Sequence, residues 1–293
     1  MSLTVTPPIF SLRIFAVATL LFTLSGCVNM DDAAGLSHLS DDARTALPKV
    51  SNDIAGTCDR QNTLFNNTPE KERPKDSKAL DCKPYQQLAS QVAKDQNVLL
   101  DYFSALGKLS SNKPLGYDAS IDSNVTDTSA ISGISTNAAT AANDAQSILK
   151  ALADAATRGY REKQLDQLIK DNDPAVQSLT QALKKIIVGD YGIMLSNEEA
   201  SLDGFYQGPM AAAQPNERLA LILVQRQYAD DKSALQSRKN RIASYGTTMD
   251  GLAALDAKLA QQATQKASLV EMGRQAAPIV ESIQNAVSDL QSR

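Results

Sequence analysis

The chain has 293 residues and a formal net charge of −4, so it is long enough for one large domain or two small ones. A mildly acidic chain lacks the positive surface that nucleic-acid binding requires, and we expect no nucleic-acid partner. Aromatic residues make up 5% and Trp is absent, while Ala and Leu supply much of the apolar content. This composition favours helix, and we predict an all-α protein.

The first 26 residues have the pattern of a secretory signal peptide. Arg13 is the only charged residue among them, and an uncharged run follows from Ile14 to Leu24. This run is too short for a hydrocarbon core about 30 Å thick, which takes about 20 apolar residues to cross. A basic residue before a short apolar run is typical of an export signal that is removed. We therefore predict that residues 1–26 are a signal peptide.

The apolar run closes with Leu24-Ser25-Gly26-Cys27. These four residues resemble the lipobox of bacterial lipoproteins, in which a large aliphatic residue and two small residues precede a cysteine. The resemblance implies that Cys27 receives a thioether-linked diacylglycerol, that the chain is cut before it, and that the new amino group is acylated. Two or three acyl chains anchor a protein stably, whereas one does not. The alternative is an ordinary secretory signal, or a buried strand, with a chance cysteine.

The residue after the cysteine bears on location. In lipoproteins of bacteria with two membranes, an aspartate there commonly signals retention in the inner membrane, whereas this chain has Val28. The resemblance therefore implies a lipid-anchored protein of the cell envelope, on the periplasmic face of the outer membrane. A bacterium with a single membrane stays an open alternative.

After Cys27, residues 27–57 mix Asp, Ser and Gly with scattered Leu, and we predict a lipidated tether with weak local helix. Cys58 and Cys82 are then an even pair in an exported protein, which indicates one disulfide. The polar residues between them predict a disulfide-closed loop over 58–82. Zinc or redox chemistry is not favoured, because the spacing is not CxxC and further ligands are lacking.

From residue 83 to 293 the apolar pattern becomes helical, which predicts a helical bundle domain. The first helix is expected from Pro84 to Leu109, followed by a linker over 110–129. A second helix extends from about 135 to Asn172. Asp173-Pro174 then supplies a favoured N-cap and first helical residue, so a third helix is expected from Pro174.

The third helix is expected to continue through residues 189–206, and 207–216 form the next connection. A fourth helix begins near Asn216 and stops at Gly246, a plausible C′ residue. A fifth runs from about 248 to 290, with apolar residues in a heptad alternation. Long helices with short breaks predict an elongated antiparallel bundle of about four to five helices, with a disulfide-stapled N-terminal segment.

The sequence offers no recognisable catalytic constellation. His38 is the only histidine and lies in the predicted tether, where we interpret it as solvated, which removes Ser-His-Asp and Cys-His arrangements and the Glu-x-x-His ligands of di-iron bundles. No Walker loop or GxGxxG is present. The acidic pairs, such as Glu198-Glu199, are interpreted as solvated faces and caps. We therefore predict no catalytic residue, metal ligand or cofactor and no enzymatic activity, and the ligand-binding residues stay unknown.

Two functions are favoured by these features, and an enzyme that uses carboxylate-only metal sites or Ser-Lys chemistry ranks third. The first is a non-catalytic docking or scaffold module, held on the membrane by its N-terminal lipid, for an envelope protein partner. The alternative is a periplasmic helical bundle that binds a small ligand or a metal. An exposed apolar patch would favour the first, and a deep polar pocket would favour the second.

Overall fold

A computed structural model describes residues 31–73, 75–110, 115, 136–158 and 162–292, in which all regular secondary structure is helical. The predicted signal peptide, Cys27 and most of the predicted linker at 110–129 lie outside these ranges. The described residues form seven α-helices: α1 Asp31–Asn67, α2 Lys83–Ser110, α3 Thr136–Arg158, α4 Glu162–Lys184, α5 Gly192–Ala212, α6 Arg218–Thr264 and α7 Leu269–Ser292.

The helices pack as an elongated bundle around one apolar core. Neighbours touch in the order α1, α2, α3, α4, α6 and α7, and α7 closes the ring on α1. The inward stripes predicted from sequence are buried, including Leu88, Leu183 and Ile283, each at most 1% exposed. The prediction of an all-α elongated bundle is therefore confirmed.

The bundle has two distinct ends. The base carries the start of α1 and the turn between α6 and α7, because α1 and α7 run parallel: Gly35 lies beside Val280, and Gln291 donates to the Asp42 carbonyl. The apex carries the turn between α5 and α6. With 47 residues, α6 spans about 70 Å at 1.5 Å per residue. The first described residue of the chain and the α5–α6 turn therefore lie at opposite ends of the molecule.

Helix α1 corrects the prediction of a tether over 27–57. Residues 31–57 belong to a helix of 37 residues that continues to Asn67, with Pro48 in its interior. Its buried stripe comprises Leu36, Leu39, Ala43, Ala46, Leu47, Val50 and Ile54. Asp, Ser and Gly lower intrinsic helix propensity, but burying this stripe against α2 and α7 outweighs that preference.

The disulfide between Cys58 and Cys82 is present, with a Cα–Cα distance of 5.5 Å. It does not close a simple loop, because residues 58–67 complete α1 and only 68–82 connect it to α2. Cys58 is fully buried. The disulfide therefore joins the apical end of α1 to the start of α2, within the helical body.

The predicted helix boundary at Pro174 is wrong, because α4 runs through it from Glu162 to Lys184. Leu165, Leu168, Asn172, Val176, Leu179 and Leu183 form one buried stripe across the proline. Pro174 itself is exposed, so the carbonyl that loses its helical partner lies on a water-accessible face. A π-helical segment, Lys185–Tyr191, then joins α4 to α5 without a break.

The predicted stop at Gly246 is also wrong, since α6 continues to Thr264 and the break falls at 265–268. Gly246 serves close packing, because an added Cβ would lie 3.1 Å from Val188 of the π segment. Farther along α6, a Cβ at Gly251 would lie only 2.5 Å from Ile283 of α7. Both glycines allow close helix–helix approach without ending the helix.

Candidate docking surface at the apex

The apical part of the bundle is a hairpin formed by α5 and the first half of α6. One aromatic pair joins its two helices, since the ring centroids of Tyr206 on α5 and Tyr228 on α6 lie 5.2 Å apart, and the neighbouring Phe205 ring packs on Tyr206 at 5.0 Å. Two hydroxyls donate to carboxylates: Tyr206 to Asp231 at 2.6 Å, and Tyr228 to Asp203 at 2.8 Å. These contacts fix the pairing of α5 with α6.

The turn of the hairpin is internally satisfied. The Gln214 N–H donates to the Glu217 side chain at 2.8 Å, and the Glu217 N–H donates to the Gln214 carbonyl at 2.9 Å. With Pro215 at the first position of a short 3₁₀ turn, the side chains of Gln214 and Glu217 also accept bonds from each other's backbone N–H groups, which is a capping box. The turn is therefore preorganised by its own residues.

Directly after this turn, α6 exposes three large aliphatic side chains. Leu219 is 71% exposed, Ile222 51% and Leu223 58%. Their spacing of three and four places them on one face, opposite the half-buried Leu221, Val224 and Tyr228 that face α5. We call Leu219, Ile222 and Leu223 the tip patch. It is the densest group of exposed large apolar side chains in the described part of the chain.

The tip is also poor in charge. Charged residues make up 21% of the chain, but residues 204–225 contain only Glu217 and Arg218. The next charged residue is Arg226, which follows Leu219 and Ile222 by seven and four positions and so continues the face of the tip patch. Arg218 and Arg226 each lie four positions from Ile222, so the apolar face is flanked by two arginines along the helix.

A buried polar cluster fastens the hairpin to α1. The carboxylate of Glu198, on α5 and only 3% exposed, accepts bonds from Arg60 Nε at 2.7 Å and an Arg238 Nη atom at 2.5 Å. Thr57 also donates to Glu198, and Tyr191 donates to Asp53. Arg60 additionally donates to Asp53 at 2.8 Å. We call this cluster the clamp: Asp53, Thr57, Arg60, Tyr191, Glu198 and Arg238.

The clamp is balanced in charge, because two guanidinium groups face two carboxyl groups. Burial tends to lower the pKa of Arg60, but its bond to Glu198 and the charges of Asp53 and Glu198 leave that pKa above its ordinary value. Burial, followed by the nearby Asp53, raises the pKa of Tyr191. Both groups therefore keep their protons. The cluster links α1, α5 and α6 but has no spare charge with which to hold an ion.

A second set of ion pairs lies nearer solvent and also joins α5 to α6. Lys232 Nζ lies 2.7 Å from Glu199 and 3.1 Å from Asp203, and Lys239 pairs with Glu199. The bonds from Lys232 and then Lys239 lower the pKa of Glu199 to about 2. Adjacent residues therefore differ: Glu198 is buried in the clamp, whereas Glu199 belongs to a partly exposed pair.

The bundle also has a polar cleft beside α4. It encloses about 890 Å³ and includes Gln177, Gln181, Lys184, Asp190 and Asp250 in its lining. Lys184 donates to Asp250 at 2.6 Å, so its charge is already paired. The cleft ends at the start of α3, whose preceding residues, 116–135, lie outside the described ranges. A smaller cleft of about 210 Å³ adjoins the clamp.

Two carboxylic acids lie deep in the basal core. Asp256 accepts a bond from the Tyr102 hydroxyl at 2.7 Å, and Asp95 accepts one from Gln91 at 2.8 Å. Burial raises the pKa of Asp256 to about 8 and that of Asp95 to about 7. Asp256 is therefore mostly protonated at neutral pH, whereas Asp95 titrates there, which makes the core sensitive to alkali.

Among the predicted site residues, the structure brings Cys58 and Cys82 together, whereas Cys27 lies outside the described ranges. The interpretation of Glu198 as solvated is wrong. The signal for the clamp was present in α6, where Asp231 and Arg238 interrupt an apolar stripe. A buried arginine requires a partner, but α6 alone does not reveal that the partners lie on α1 and α5.

Within the described ranges, no group of three or more His, Cys, Asp or Glu side chains is arranged to hold a metal ion. Nor does any helix there have the length and apolarity needed to span a membrane. No protein-family model, curated protein or solved structure matches this chain. The tip, the clamp and the clefts are therefore the features of the molecule that bear on its function.

Proposed function

We propose that this protein is a lipid-anchored, non-catalytic docking module of a bacterial cell envelope, which contacts its partner through the tip patch. The observation that carries the proposal is the exposure of Leu219, Ile222 and Leu223 at the apex. In a soluble helical bundle such side chains are ordinarily buried, and their clustering on one face marks a contact surface.

The position of the proposed anchor supports this function. Cys27 precedes the first residue of α1, Asp31, by four positions, which span at most about 14 Å of extended chain. An acyl anchor on Cys27 would therefore hold the base of the bundle at the membrane. The tip patch lies at the other end of α6, about 70 Å away. The elongated bundle therefore separates the proposed anchor at its base from the contact surface at its apex.

The clamp supports the same function because it makes the attachment of the apical hairpin to the bundle rigid. A contact surface at the end of a long hairpin requires that the hairpin keep a defined direction. Glu198 joins α5 to both α1 and α6 through Arg60 and Arg238, in a setting where bonds between charged groups are strong. The polar cluster thus orients the tip.

Binding of a small ligand in the cleft beside α4 is the second candidate. The specific observation in its favour is the π-helical segment Lys185–Tyr191, part of which lines the cleft, because π segments often occur at functional sites. We rank it second because the ion pair of Lys184 with Asp250 leaves that lysine no free charge for a ligand.

The anchor is tested with Cys27→Ala in the native host. We expect the variant to leave the membrane fraction or to accumulate as an uncut precursor. Unchanged membrane fractionation together with an unchanged mass would contradict the lipoprotein assignment.

The tip is tested with a photoreactive amino acid placed at position 222 in intact cells. Position 193 is the matched control, because Ile193 is 62% exposed but lies on α5 below the hairpin turn. We expect crosslinked products from position 222 and a clearly lower yield of crosslinked products from position 193. Equal labelling at the two positions would contradict a docking role of the tip.

A further inference from the structure

We infer that the surface contacted by the tip patch is a phospholipid bilayer, so that the apex binds lipid independently of the acyl chains on Cys27. The inference rests on the proposed function, in which the apex is the contact surface, and it names the partner. It follows from the area, the chemistry and the depth of the apolar face on α6.

The first step is the size of the patch. Three aliphatic side chains that are about half to two-thirds exposed offer on the order of 200 Å² of apolar surface. A stable protein–protein interface buries about 800 Å² on each partner. The patch is therefore too small to carry a stable dimer of this chain. It is large enough for the weak, reversible insertion by which peripheral proteins bind membranes.

The second step is the chemistry of the patch. Protein-binding surfaces are enriched in exposed aromatic residues, but the aromatic rings of the hairpin, Phe205, Tyr206 and Tyr228, pack against one another. What the tip presents is aliphatic: Leu219, Ile222 and Leu223. Its turn satisfies the backbone N–H groups of Gln214 and Glu217 internally, which lowers the cost of moving the turn out of water.

The third step is depth. Leu219 and Arg226 are seven residues apart on one face of α6, which corresponds to about 10 Å along the helix. Apolar faces of interfacial helices enter the boundary between headgroups and acyl chains by about 5–10 Å. When α6 lies along that boundary with the tip patch facing the lipid, Arg226 on the same face can extend its long side chain back to the lipid phosphates. Glu217 and Arg218, which directly precede Leu219, are charged and must stay at the headgroup level, so the insertion is shallow.

The test uses the processed chain, residues 27–293, with Cys27→Ser so that no acyl chain is attached. All described helices lie within this range. Binding is measured by flotation with vesicles of phosphatidylethanolamine and phosphatidylglycerol, and again with vesicles of phosphatidylcholine alone. We expect the protein to float with both, because the insertion of aliphatic side chains does not require an anionic headgroup.

The decisive variant is Leu219→Ser combined with Ile222→Ser, and Ile193→Ser is the control because it removes an equally exposed aliphatic side chain away from the tip. We expect the tip variant to reduce the bound fraction at least tenfold and the control to leave it unchanged. Far-ultraviolet circular dichroism checks that all three proteins keep their helix. Equal flotation of the tip variant and the unsubstituted protein would overturn the inference.

The photoreactive residue at position 222 separates this inference from the proposed function. Labelled phospholipid at that position, together with flotation, supports the bilayer as the partner. A labelled protein without any flotation overturns the bilayer inference while leaving the docking function intact. If position 222 labels neither lipid nor protein and the chain does not float, both proposals fail.

Discussion

The basal and apical parts of this bundle are stabilised by different physical means. At the base, helices α1, α2, α3, α4, α6 and α7 form a ring around buried aliphatic side chains. At the apex, α1, α5 and α6 are joined by the clamp and by ion pairs, while aliphatic side chains on α6 face solvent. The base thus gains its stability from apolar burial, and the apex gains orientation while keeping its apolar surface available.

This difference has a physical reason. Apolar burial is nondirectional, so it stabilises a core without fixing the direction of a projecting element. Bonds between charged groups are directional, and a bidentate arginine fixes both distance and angle. An apical hairpin that must point in one direction is therefore better held by Arg60 and Arg238 than by a few additional leucines.

The largest expected effect is in the basal core. Leu183 is fully buried, so Leu183→Ala should lower the free energy of unfolding by about 2–5 kcal/mol once the cavity is included. Urea denaturation followed by circular dichroism measures the change. Lys239→Ala is the control, because a partly exposed ion pair contributes at most about 1 kcal/mol. Equal losses in the free energy of unfolding for the two variants would contradict the assignment of Leu183 to the core.

The disulfide should have the next largest effect. Replacing Cys58 and Cys82 together with Ala should lower the free energy of unfolding by about 3 kcal/mol, as expected for a closed segment of this length. The helical circular dichroism spectrum should persist, since the basal ring does not include the disulfide. Loss of that spectrum would show that folding of the base depends on the apical end of α1, which would contradict separate stabilisation of the base and the apex.

The clamp should have a smaller and more local effect. Glu198→Gln removes the carboxylate between Arg60 and Arg238, and we expect a loss of about 2 kcal/mol. This is less than for a fully buried pair, because the Arg60 side chain is 32% exposed. Hydrogen exchange should increase in α5 and in the apical half of α6, but not in α2.

Glu199→Gln is the matched control for the clamp. It changes the neighbouring residue, whose partners Lys232 and Lys239 are partly exposed, and we expect a loss below about 1 kcal/mol. Uniformly increased exchange throughout the bundle in Glu198→Gln would contradict separate stabilisation of the apex.

A further effect is a dependence of the free energy of unfolding on pH that originates in the base and builds up over several pH units. Asp256 has a pKa raised by burial from 3.8 to about 8, so it stays protonated in the folded protein while the unfolded chain ionises. As pH rises between about 4 and 8, this group lowers the free energy of unfolding by up to about 1.4 kcal/mol per pH unit. Below this window both states bind the proton, and the group has no effect.

Asp256→Asn should remove that contribution. Denaturation midpoints measured at several values between about pH 5 and pH 8 should fall with pH more steeply in the unsubstituted protein than in the variant. Asp95 gives a similar contribution up to about pH 7, since burial raises its pKa to that value. Parallel pH profiles for the variant and the unsubstituted protein would show that Asp256 is not held neutral in the core.

The sequence determined the helical class, the bundle and the cysteine pairing, because apolar periodicity and cysteine number are local properties of the chain. The stripe through Leu88, Val92 and Leu99 located α2 to within one residue at each end. Periodicity also existed in α1, but Asp, Ser and Gly obscured it. Only the tertiary partners in α2 and α7 decide that this stripe is buried.

Tertiary structure alone decided the helix breaks and the polar cluster. Pro174 and Gly246 are local signals for helix ends, yet one lies on an exposed face and the other allows the close approach of Val188. Likewise, Glu198 and Glu199 are equivalent in sequence, and their environments differ because adjacent helical positions point about 100° apart. One meets Arg60, 138 residues away, and the other meets lysines near solvent. Such long-range pairings depend on how helices assemble, which no local pattern encodes.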